Sequence, residues 1–260
     1  MSLKNKVVWI TASAGGIGKA MAKKFAAEGA KLILCDLNEE ELRKTEEEIK
    51  DLGADVLAVQ YDGGNAADIE NVFNKAMERF GTIDALINNA GIAGPTKSII
   101  DTSVEEFDKT LEVNLRGTFL TMHLAAPVMI KNGGGKIVNM ASHAGKNALV
   151  NRCPYTSSKM GVIALTRVAA KELGQYNITV NSICPGAVAG PRLEMVFQRD
   201  AEAKGMSVQE VKDAYYSTSP IKHAVPPEDI AELAAFLCDE EKSGCITGED
   251  VNITCGTVMY

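Results

Sequence analysis

Long apolar runs and an excess of basic residues are both missing from the sequence, and each absence excludes a class of protein. The first apolar run, residues 7–10, is too short for the hydrophobic part of a signal peptide, and no later run is long enough to cross a membrane. The formal net charge of −7 is spread along the chain, so nothing favours nucleic acid as a partner. We therefore expect a soluble, cytoplasmic protein that binds neither membranes nor nucleic acid.

Paired cysteine motifs are missing as well. The six cysteines stand at positions 35, 153, 184, 238, 245 and 255, without any Cys-x-x-Cys spacing. A chain of 260 residues does not need disulfide bonds for its stability, and this spacing does not suit a metal site. We predict reduced thiols and no bound metal.

What the sequence does contain is a regular alternation of strand-like and helix-like segments. Strands are predicted over residues 7–11, 31–36, 56–61, 85–88, 136–140, 179–184 and 250–254. Helices are predicted over residues 16–28, 39–52, 66–80, 104–130, 154–173 and 227–237. No internal repeat or low-complexity linker interrupts this alternation.

Alternating strands and helices predict an α/β fold, namely a doubly wound, Rossmann-type, mostly parallel seven-stranded sheet with helices on both faces. With 46% apolar residues the chain can bury one such core, so residues 1–260 are predicted to form a single domain. One long stretch, residues 186–226, is irregular except for a charged helical segment that prolines and glycines flank. It follows the carboxyl end of a strand, which is where such sheets bind ligands. We predict that this stretch forms a lid over the substrate.

A glycine-rich turn joins the first predicted strand to the first predicted helix. Backbone N–H groups and the positive end of the helix dipole bind a pyrophosphate at such a turn. An ordinary tight turn is the alternative, because a glycine-rich segment alone is weak evidence. The residues expected to contact a dinucleotide here are Ser13, Gly15, Gly16, Ile17 and Gly18.

Asp36 ends the second predicted strand and bears on the choice of cofactor. A carboxylate at this place accepts hydrogen bonds from the adenosine ribose hydroxyls and repels a 2′-phosphate. Residues 35–38 include no basic side chain that would bind such a phosphate. The sequence therefore favours NAD over NADP, and a solvated acid at a strand end is the alternative interpretation.

Tyr155 and Lys159 are one helical turn apart, so their side chains share one face of the helix that Pro154 opens. A positive charge held beside a phenol favours the phenolate, which makes Tyr155 a base for alcohol oxidation and, in reverse, a proton donor to a ketone. A tyrosine packed on a lysine stem is the alternative.

Two further residues favour catalysis. Ser142 ends a strand where its hydroxyl orients a substrate oxygen, and Asn114 is a polar residue in an apolar helical stretch.

With these motifs together, the chain resembles the short-chain dehydrogenase/reductase family from its first strand to its last. The shared motifs are the glycine-rich turn, Asn88-Asn89-Ala90-Gly91, Asn114, Ser142, Tyr155 with Lys159, Pro185-Gly186 and Ile246-Thr247-Gly248. The resemblance implies an enzyme that moves a hydride between nicotinamide and a secondary alcohol or ketone. It also implies a homotetramer, with helices 104–130 and 154–173 at one interface and the apolar end, residues 258–260, at another.

The same resemblance implies a role for individual residues. Tyr155 is the acid/base, Ser142 positions the substrate oxygen, Lys159 holds the nicotinamide ribose, and Asn114 supports a water in the proton relay. Further cofactor contacts are implied for Asp62 at the adenine, Asn89 near a ribose and Val188 at the carboxamide.

Ala12 departs from the family pattern, which has a glycine at this position of the turn. An added Cβ is tolerated there if the backbone angle φ is negative. On that expectation, cofactor binding survives and the substitution Ala12→Gly changes NAD affinity little.

Two potentially cationic side chains are predicted near the reacting centre. Arg152 lies just before the catalytic tyrosine, and His143 follows the catalytic serine. In the 3-hydroxybutyrate dehydrogenases that the chain resembles here, a lysine at the position of Arg152 holds the substrate carboxylate, so a hydroxy acid or hydroxysulfonate is implied. Gly94 replaces the glutamine of those enzymes, and their histidine falls one position later. Arg192 in the lid is a weaker candidate, and a solvated Arg152 with a neutral, satisfied His143 is the alternative.

Three functions follow from these observations. The first is an NAD-dependent dehydrogenase of a small polar or anionic hydroxy compound. The second is a reductase of 3-oxoacyl thioesters or of a steroid-like ketone, although Asp36 disfavours its NADPH-driven form. The third is a nucleotide sensor that keeps the fold without turnover, which the complete catalytic set disfavours.

Overall fold

The centre of the molecule is a parallel sheet of seven strands. The computed structural model describes residues 3–217 and 219–260, and the strands lie in the order β3-β2-β1-β4-β5-β6-β7. They are β1 (Val7–Thr11), β2 (Lys31–Asp36), β3 (Val56–Gln60), β4 (Ala85–Asn88), β5 (Gly135–Met140), β6 (Ile178–Pro185) and β7 (Asp250–Ile253). All neighbouring pairs are parallel. Because the order reverses between β1 and β4, a crevice opens there at the carboxyl ends of the strands. The predicted Rossmann-type fold and single domain are confirmed.

Helices cover both faces of this sheet. They are α1 (Gly16–Ala27), α2 (Glu39–Asp51), α3 (Ala66–Phe80), α4 (Val104–Leu111), α5 (Gly117–Lys131), α6 (Cys153–Leu173), α7 (Pro191–Lys204), α8 (Val208–Ser217), α9 (Pro227–Cys238) and α10 (Glu240–Ser243). One apolar core contains side chains of α1, α2 and α9, and the other contains side chains of α3, α5 and α6. Strands β1 and β6 are buried along their whole length, which explains the continuous apolar run of β1, whereas β6 also buries the polar residues Thr179, Asn181 and Ser182.

The predicted helix 104–130 is interrupted in the structure. Residues Glu112–Arg116 form a π-helical turn between α4 and α5, and α5 continues one residue beyond the prediction. A π turn inserts an extra residue into the helical period and often marks a functional site. Within this turn Asn114 bonds to Ile92 and Ser158, which are distant in sequence, and the local pattern of apolar residues does not show these contacts.

The stretch 186–226, predicted to be irregular around one charged helical segment, contains two helices, α7 and α8. Helix α7 starts at Pro191, and its Leu193 and Phe197 pack with Val211 of α8 in an apolar cluster separate from the two main cores. The stretch is closed at its base by a parallel bridge between Val188 and Val225. The high charge of α7 and α8 hid their apolar stripe in the sequence.

The remaining predicted bounds agree with the structure to within one or two residues, which is the ordinary uncertainty of element ends. Among the described residues, no helix combines the length and the apolarity needed to cross a bilayer. Within residues 3–217 and 219–260, no group of three His, Cys, Asp or Glu side chains is placed to hold a metal ion.

Candidate active site

The glycine-rich turn between β1 and α1 forms one end of a cleft of about 430 Å³. Gly18 allows the close packing of this turn, since a Cβ there would lie 2.0 Å from the carbonyl oxygen of Ala12. A Cβ added at Gly15 or Gly16 would meet nothing within 4 Å, so the backbone here faces open space. Gly16 and Ile17 line the cleft. A pyrophosphate therefore fits against the start of α1.

Ala12 has a φ of 50°, so the expected negative angle is wrong. A residue with a Cβ in this left-handed conformation is less stable than glycine by about 1 to 2 kcal/mol. The carbonyl oxygen of Ala12 accepts a hydrogen bond from Asn89 Nδ2 at 2.9 Å, which ties the turn to the end of β4. Contacts with a distant strand therefore hold alanine in a conformation that its own chemistry disfavours.

Two other predicted cofactor residues support the turn or its surroundings. Ser13 is fully buried, and its hydroxyl donates to the carbonyl of Cys35 at 3.3 Å, so it holds the turn against β2. Asp62 Oδ1 accepts from the backbone N–H of Gly64 at 2.8 Å, and its other oxygen lies 3.6 Å from Lys109 Nζ. Neither side chain lines the cleft in this structure.

Asp36 points back at the glycine-rich turn from the end of β2. One carboxylate oxygen accepts from the N–H of Ala14 at 2.9 Å, and the other accepts from the N–H of Asn38 at 3.0 Å. A carboxylate oxygen accepts more than one hydrogen bond, so ribose hydroxyls remain compatible with both contacts. The two backbone contacts fix the position of the negative charge beside the turn.

The predicted catalytic residues meet at the opposite end of the same cleft. Ser142, Tyr155 and Lys159 all line it. Lys159 Nζ is 5.9 Å from the centre of the Tyr155 ring and donates to the carbonyl of Met140 at 2.7 Å. Lys159 is only 5% exposed, so this contact positions its charge beside the phenol. The Oγ of Ser142 accepts from the N–H of Ala144 at 3.1 Å.

Asn114 lies in the π turn and is completely buried. Its Oδ1 accepts from the N–H of Ile92 at 2.8 Å, and its Nδ2 donates to the Ile92 carbonyl at 3.0 Å and to Ser158 Oγ at 3.0 Å. Ser158 in turn donates to the carbonyl of Tyr155 at 2.8 Å. The asparagine side chain thus connects the loop after β4 to the catalytic helix. Sequence reasoning missed Ser158, although it stands directly before Lys159.

Arg152 lines the cleft beside the catalytic tyrosine. Its guanidinium carbon is 5.1 Å from the centre of the Tyr155 ring, and Nη1 donates to Thr96 Oγ1 at 2.9 Å. The predicted nearness to the reacting centre agrees with this position. Thr96 was missed because it lies in a loop with no recognisable motif.

His143 does not line the cleft. Its Nδ1 is 3.1 Å from the carbonyl oxygen of Pro185, and the residue lines a second cavity next to the cleft. The structure therefore does not bring His143 and Arg152 together. The side chain of Arg192 lies outside the described part of the chain.

Apart from Asn89, the rest of the cleft wall consists of apolar residues and glycines. Val188, for which the resemblance implies a contact with the nicotinamide carboxamide, lines it, followed by Ala189, Pro191, Leu193 and Val196. These residues come from the loop after β6 and the first turns of α7.

The buried thiols near the site do not provide nucleophiles. Burial raises the pKa of the Cys184 thiol to about 11, and burial raises the pKa of Cys35 to about 12. A thiol with such a pKa stays protonated near neutral pH and is a poor nucleophile.

Comparisons with known proteins agree with this geometry. Residues 11–257 match the family model described as Enoyl-(Acyl carrier protein) reductase. An uncharacterized oxidoreductase of Thermotoga maritima is 39% identical over 99% of both chains, and galactitol 2-dehydrogenase of Agrobacterium fabrum is 36% identical over 100% of both. The crystal structure of NAD+-bound xylitol dehydrogenase superposes with a TM-score of 0.92 at 30% identity, covering 98% of this chain and 100% of that one.

Proposed function

The chain belongs to the short-chain dehydrogenase/reductase family, and we propose that it is an NAD-dependent dehydrogenase of small polar secondary alcohols. It is an oxidoreductase that acts on alcohol or ketone groups with a nicotinamide cofactor. The observation that carries the proposal is the convergence of Ser142, Tyr155 and Lys159 in one cleft with the glycine-rich turn.

Each catalytic side chain has a specific task in the proposed reaction. The nicotinamide, when bound, accepts a hydride from the alcohol carbon or returns one to the ketone. Tyr155 takes the proton of the alcohol hydroxyl in oxidation and gives it back in reduction. Lys159, held by the Met140 carbonyl, keeps a positive charge beside the phenol and lies where the nicotinamide ribose is expected. Ser142 orients the substrate oxygen.

Asn114 acts through position rather than through direct contact. Its side chain is engaged with Ile92 and Ser158, and Ser158 holds the backbone of Tyr155. The proposal therefore assigns Asn114 to fixing the catalytic helix against the loop after β4. A water of the proton relay would then bind beside this network rather than to the asparagine amide itself.

The choice of NAD rests on Asp36. Its carboxylate is fixed by two backbone N–H groups beside the turn, where a 2′-phosphate would approach it. Two negative charges held together in a partly buried site repel each other strongly. The replacement Asp36→Asn removes the repulsion and leaves the shape of the side chain unchanged.

For the substrate, the proposal is a small hydroxy compound with a polar or anionic group. Arg152 stands beside the Tyr155 ring with its guanidinium at the cleft, where it would bind a carboxylate or sulfonate through two hydrogen bonds. The same relatives that act on galactitol and xylitol support a small hydroxylated substrate. The substitution Arg152→Ala is expected to raise KM for an anionic substrate and to spare NAD binding.

A second candidate is supported by the apolar wall of the lid. Val188, Leu193 and Val196 would contact a bulky ketone, as in reduction of a 3-oxoacyl thioester or a steroid-like ketone. The lid is proposed to close over either type of substrate. A sensor without turnover is the remaining alternative.

The proposal also includes the assembly and the compartment. A homotetramer would bury apolar side chains that are exposed on α5 and α6, among them Phe119, Met160 and Val168. At the chain end, Val258 is buried within its own subunit, which leaves only Met259 and Tyr260 for a second interface. Six free cysteines suit the cytoplasm. Light scattering tests the assembly, and a monomeric mass would contradict it.

The function is tested by following the absorbance of reduced nicotinamide with NAD and with NADP as alternative oxidants. The substrate panel contains hydroxy acids, hydroxysulfonates, polyols, hydroxyacyl thioesters and hydroxysteroids. We expect turnover with NAD, and we expect Asp36→Asn to reduce the preference for NAD over NADP about tenfold or more. Turnover of thioesters or steroids alone would favour the second candidate. Binding of NADH without turnover of any panel member would favour the sensor.

A further inference from the structure

The turn after β5 carries Ser142 and packs directly on the catalytic helix. Two backbone hydrogen bonds close the turn on itself. The N–H of Gly145 donates to the Ser142 carbonyl at 2.9 Å, and the N–H of the next residue donates to the His143 carbonyl at 3.0 Å. A Cβ at Gly145 would lie 2.8 Å from the carbonyl oxygen of Lys159, so the turn touches the backbone of α6. A small shift of this turn therefore moves the serine hydroxyl relative to the other reacting groups.

Lys146 follows this turn, and its side chain connects the turn to β7. The ammonium nitrogen of Lys146 lies 2.6 Å from Asp250 Oδ2. The same nitrogen donates to the backbone carbonyl of Asp250 at 2.7 Å and to the backbone oxygen of Tyr260 at 2.9 Å. An ammonium has three N–H donors, so these three acceptors can engage all of them. One cation thus holds the turn that carries Ser142 to the last strand of the sheet.

Asp250 also contacts the catalytic helix. Its other carboxylate oxygen, Oδ1, accepts from Arg167 Nη2 at 2.5 Å and from Arg167 Nε at 3.2 Å. Arg167 lies on α6, about two helical turns after Lys159. One carboxylate on the edge strand therefore joins the turn of Ser142 to the helix that carries Tyr155 and Lys159.

The burial of the inner ion pair indicates a role in geometry. The side chains of Lys146 and Asp250 are 10% and 11% exposed, whereas that of Arg167 is 59% exposed. Removing two charges from water is costly, and apolar side chains in their place often stabilise a protein equally well. What a charge-assisted hydrogen bond adds is a defined direction and distance. Reacting side chains need this precision, because they work within about 0.5 Å of one position.

We propose that Lys146 and Asp250 are positioning residues for Ser142, and that their ion pair fixes the serine turn against the catalytic helix. The inference goes beyond the proposed function and rests on it, because Ser142 is there assigned to orient the substrate oxygen. Neither Lys146 nor Asp250 lines the cleft, so both act on turnover through the place that they give to the serine.

The test is a double-mutant cycle that combines Lys146→Met with Ser142→Ala, followed with NAD and the best alcohol of the substrate panel. Methionine keeps most of the buried stem of Lys146 and removes the charge. The double replacement Lys146→Met with Asp250→Leu removes both charges and covers the case in which the single variant does not fold. Lys24→Met is the matched control, because Lys24 also joins two elements through an ion pair, from α1 to Glu232 of α9.

With Ser142 present, we expect Lys146→Met to lower kcat about tenfold and to leave KM for NAD and NADH affinity within about twofold. In the Ser142→Ala background the same change should alter kcat by less than about twofold, because the group that Lys146 positions is gone. The variant without either charge should behave as Lys146→Met does. The control Lys24→Met should leave kcat unchanged in both backgrounds.

Two results would overturn the inference and leave the dehydrogenase function intact. The first is an equal loss of kcat from Lys146→Met in both backgrounds, which would show a general loss of structure. The second is an unchanged kcat in both Lys146→Met and the variant without either charge. A wild type that oxidises no panel alcohol with NAD or NADP would instead overturn the proposed function together with the inference.

Discussion

The two ends of the ligand-binding crevice are built in different ways. At the cofactor end, one short turn, the start of α1 and the end of β2 form the site, and backbone hydrogen bonds define most of its shape. At the proposed substrate end, side chains come together from the end of β5, the start of α6 and the first turns of α7. A cofactor site of the first kind suits one ligand in many enzymes, whereas the second kind can change its ligand through a few side chains.

The same contrast appears in packing. The cofactor end is part of the main core, where Phe25 of α1 is fully buried against the sheet. Phe197 of the lid is also buried, but its neighbours form a small cluster of their own with Ala201 and Val211. If this segment is a lid, as proposed, a separate small core would let it open without unfolding the sheet.

In this comparison the largest expected effect concerns Lys159, which lines the cleft beside Tyr155 and is also expected to hold the nicotinamide ribose. Replacement by methionine keeps much of the buried stem and removes the charge and the hydrogen bond to the Met140 carbonyl. We expect kcat to fall by about 10² to 10⁴, the range associated with losing acid–base assistance. Steady-state kinetics with NAD measures this loss, and Lys171→Met on the same helix is the control. Similar kcat values for both variants would contradict the role of Lys159.

Two phenylalanine substitutions compare how much the main core and the lid contribute to global stability. Phe25→Ala should lower the free energy of unfolding by about 3 to 5 kcal/mol, because it leaves a cavity in the main core. Phe197→Ala should change global stability by less than about 1 kcal/mol, since the lid opens locally, and should raise KM instead. Urea unfolding followed by the fluorescence of Trp9, the only tryptophan and fully buried in β1, measures both. Equal global losses would mean that the lid is part of the main core.

The third prediction concerns acid stability near β7. Burial alone would raise the pKa of Asp250, but the ion pairs with Lys146 and Arg167 lower the pKa below its usual value. Because the pKa of Asp250 is lower in the folded state than in the unfolded state, where it is about 3.9, the ionised carboxylate stabilises the fold at pH values above about 3.9. This stabilisation is lost as the pH falls through the folded-state pKa. Asp250→Asn should therefore lower the unfolding free energy at pH 7 by about 1 to 3 kcal/mol.

The difference between Asp250→Asn and the wild type should shrink as the pH falls below about 4. Denaturant unfolding at a series of pH values measures it. A difference that stays constant down to the acid limit would show that packing, and not ionisation of Asp250, produces the effect.

The smallest expected effect is at Ala12. Glycine at this position should raise the unfolding free energy by about 1 kcal/mol, because it removes the strain of a Cβ at a φ of 50°. NAD affinity should change less than tenfold, since Asn89 already holds the turn. Thermal unfolding and calorimetric titration measure the two quantities. Unchanged stability would show that the turn carries no strain.

Much of the fold could be predicted because its signals are local. β1, β2 and β4 have the predicted bounds, since their apolar runs end at turn residues or polar side chains. Tyr155 and Lys159 were found for the same reason, as one helical turn separates them on a helix with a proline start. Signals that need only a few neighbouring residues are visible in one sequence.

The features that the sequence did not reveal depend on distant contacts. The left-handed Ala12 depends on Asn89, and the π turn around Asn114 depends on Ile92 and Ser158. His143 faces the second cavity because the carbonyl of Pro185 lies next to its ring. None of these partners is near in sequence, so no local pattern contains the information.

The most direct test of the account is the effect of Tyr155→Phe on turnover and on NADH binding, with Tyr176→Phe as the control. In Tyr155→Phe we expect kcat to fall by at least about 10³-fold and NADH affinity to equal that of the wild type, because only the proton transfer is removed. The control should keep full activity. Retained turnover in Tyr155→Phe would contradict the assignment of this phenol as the acid/base.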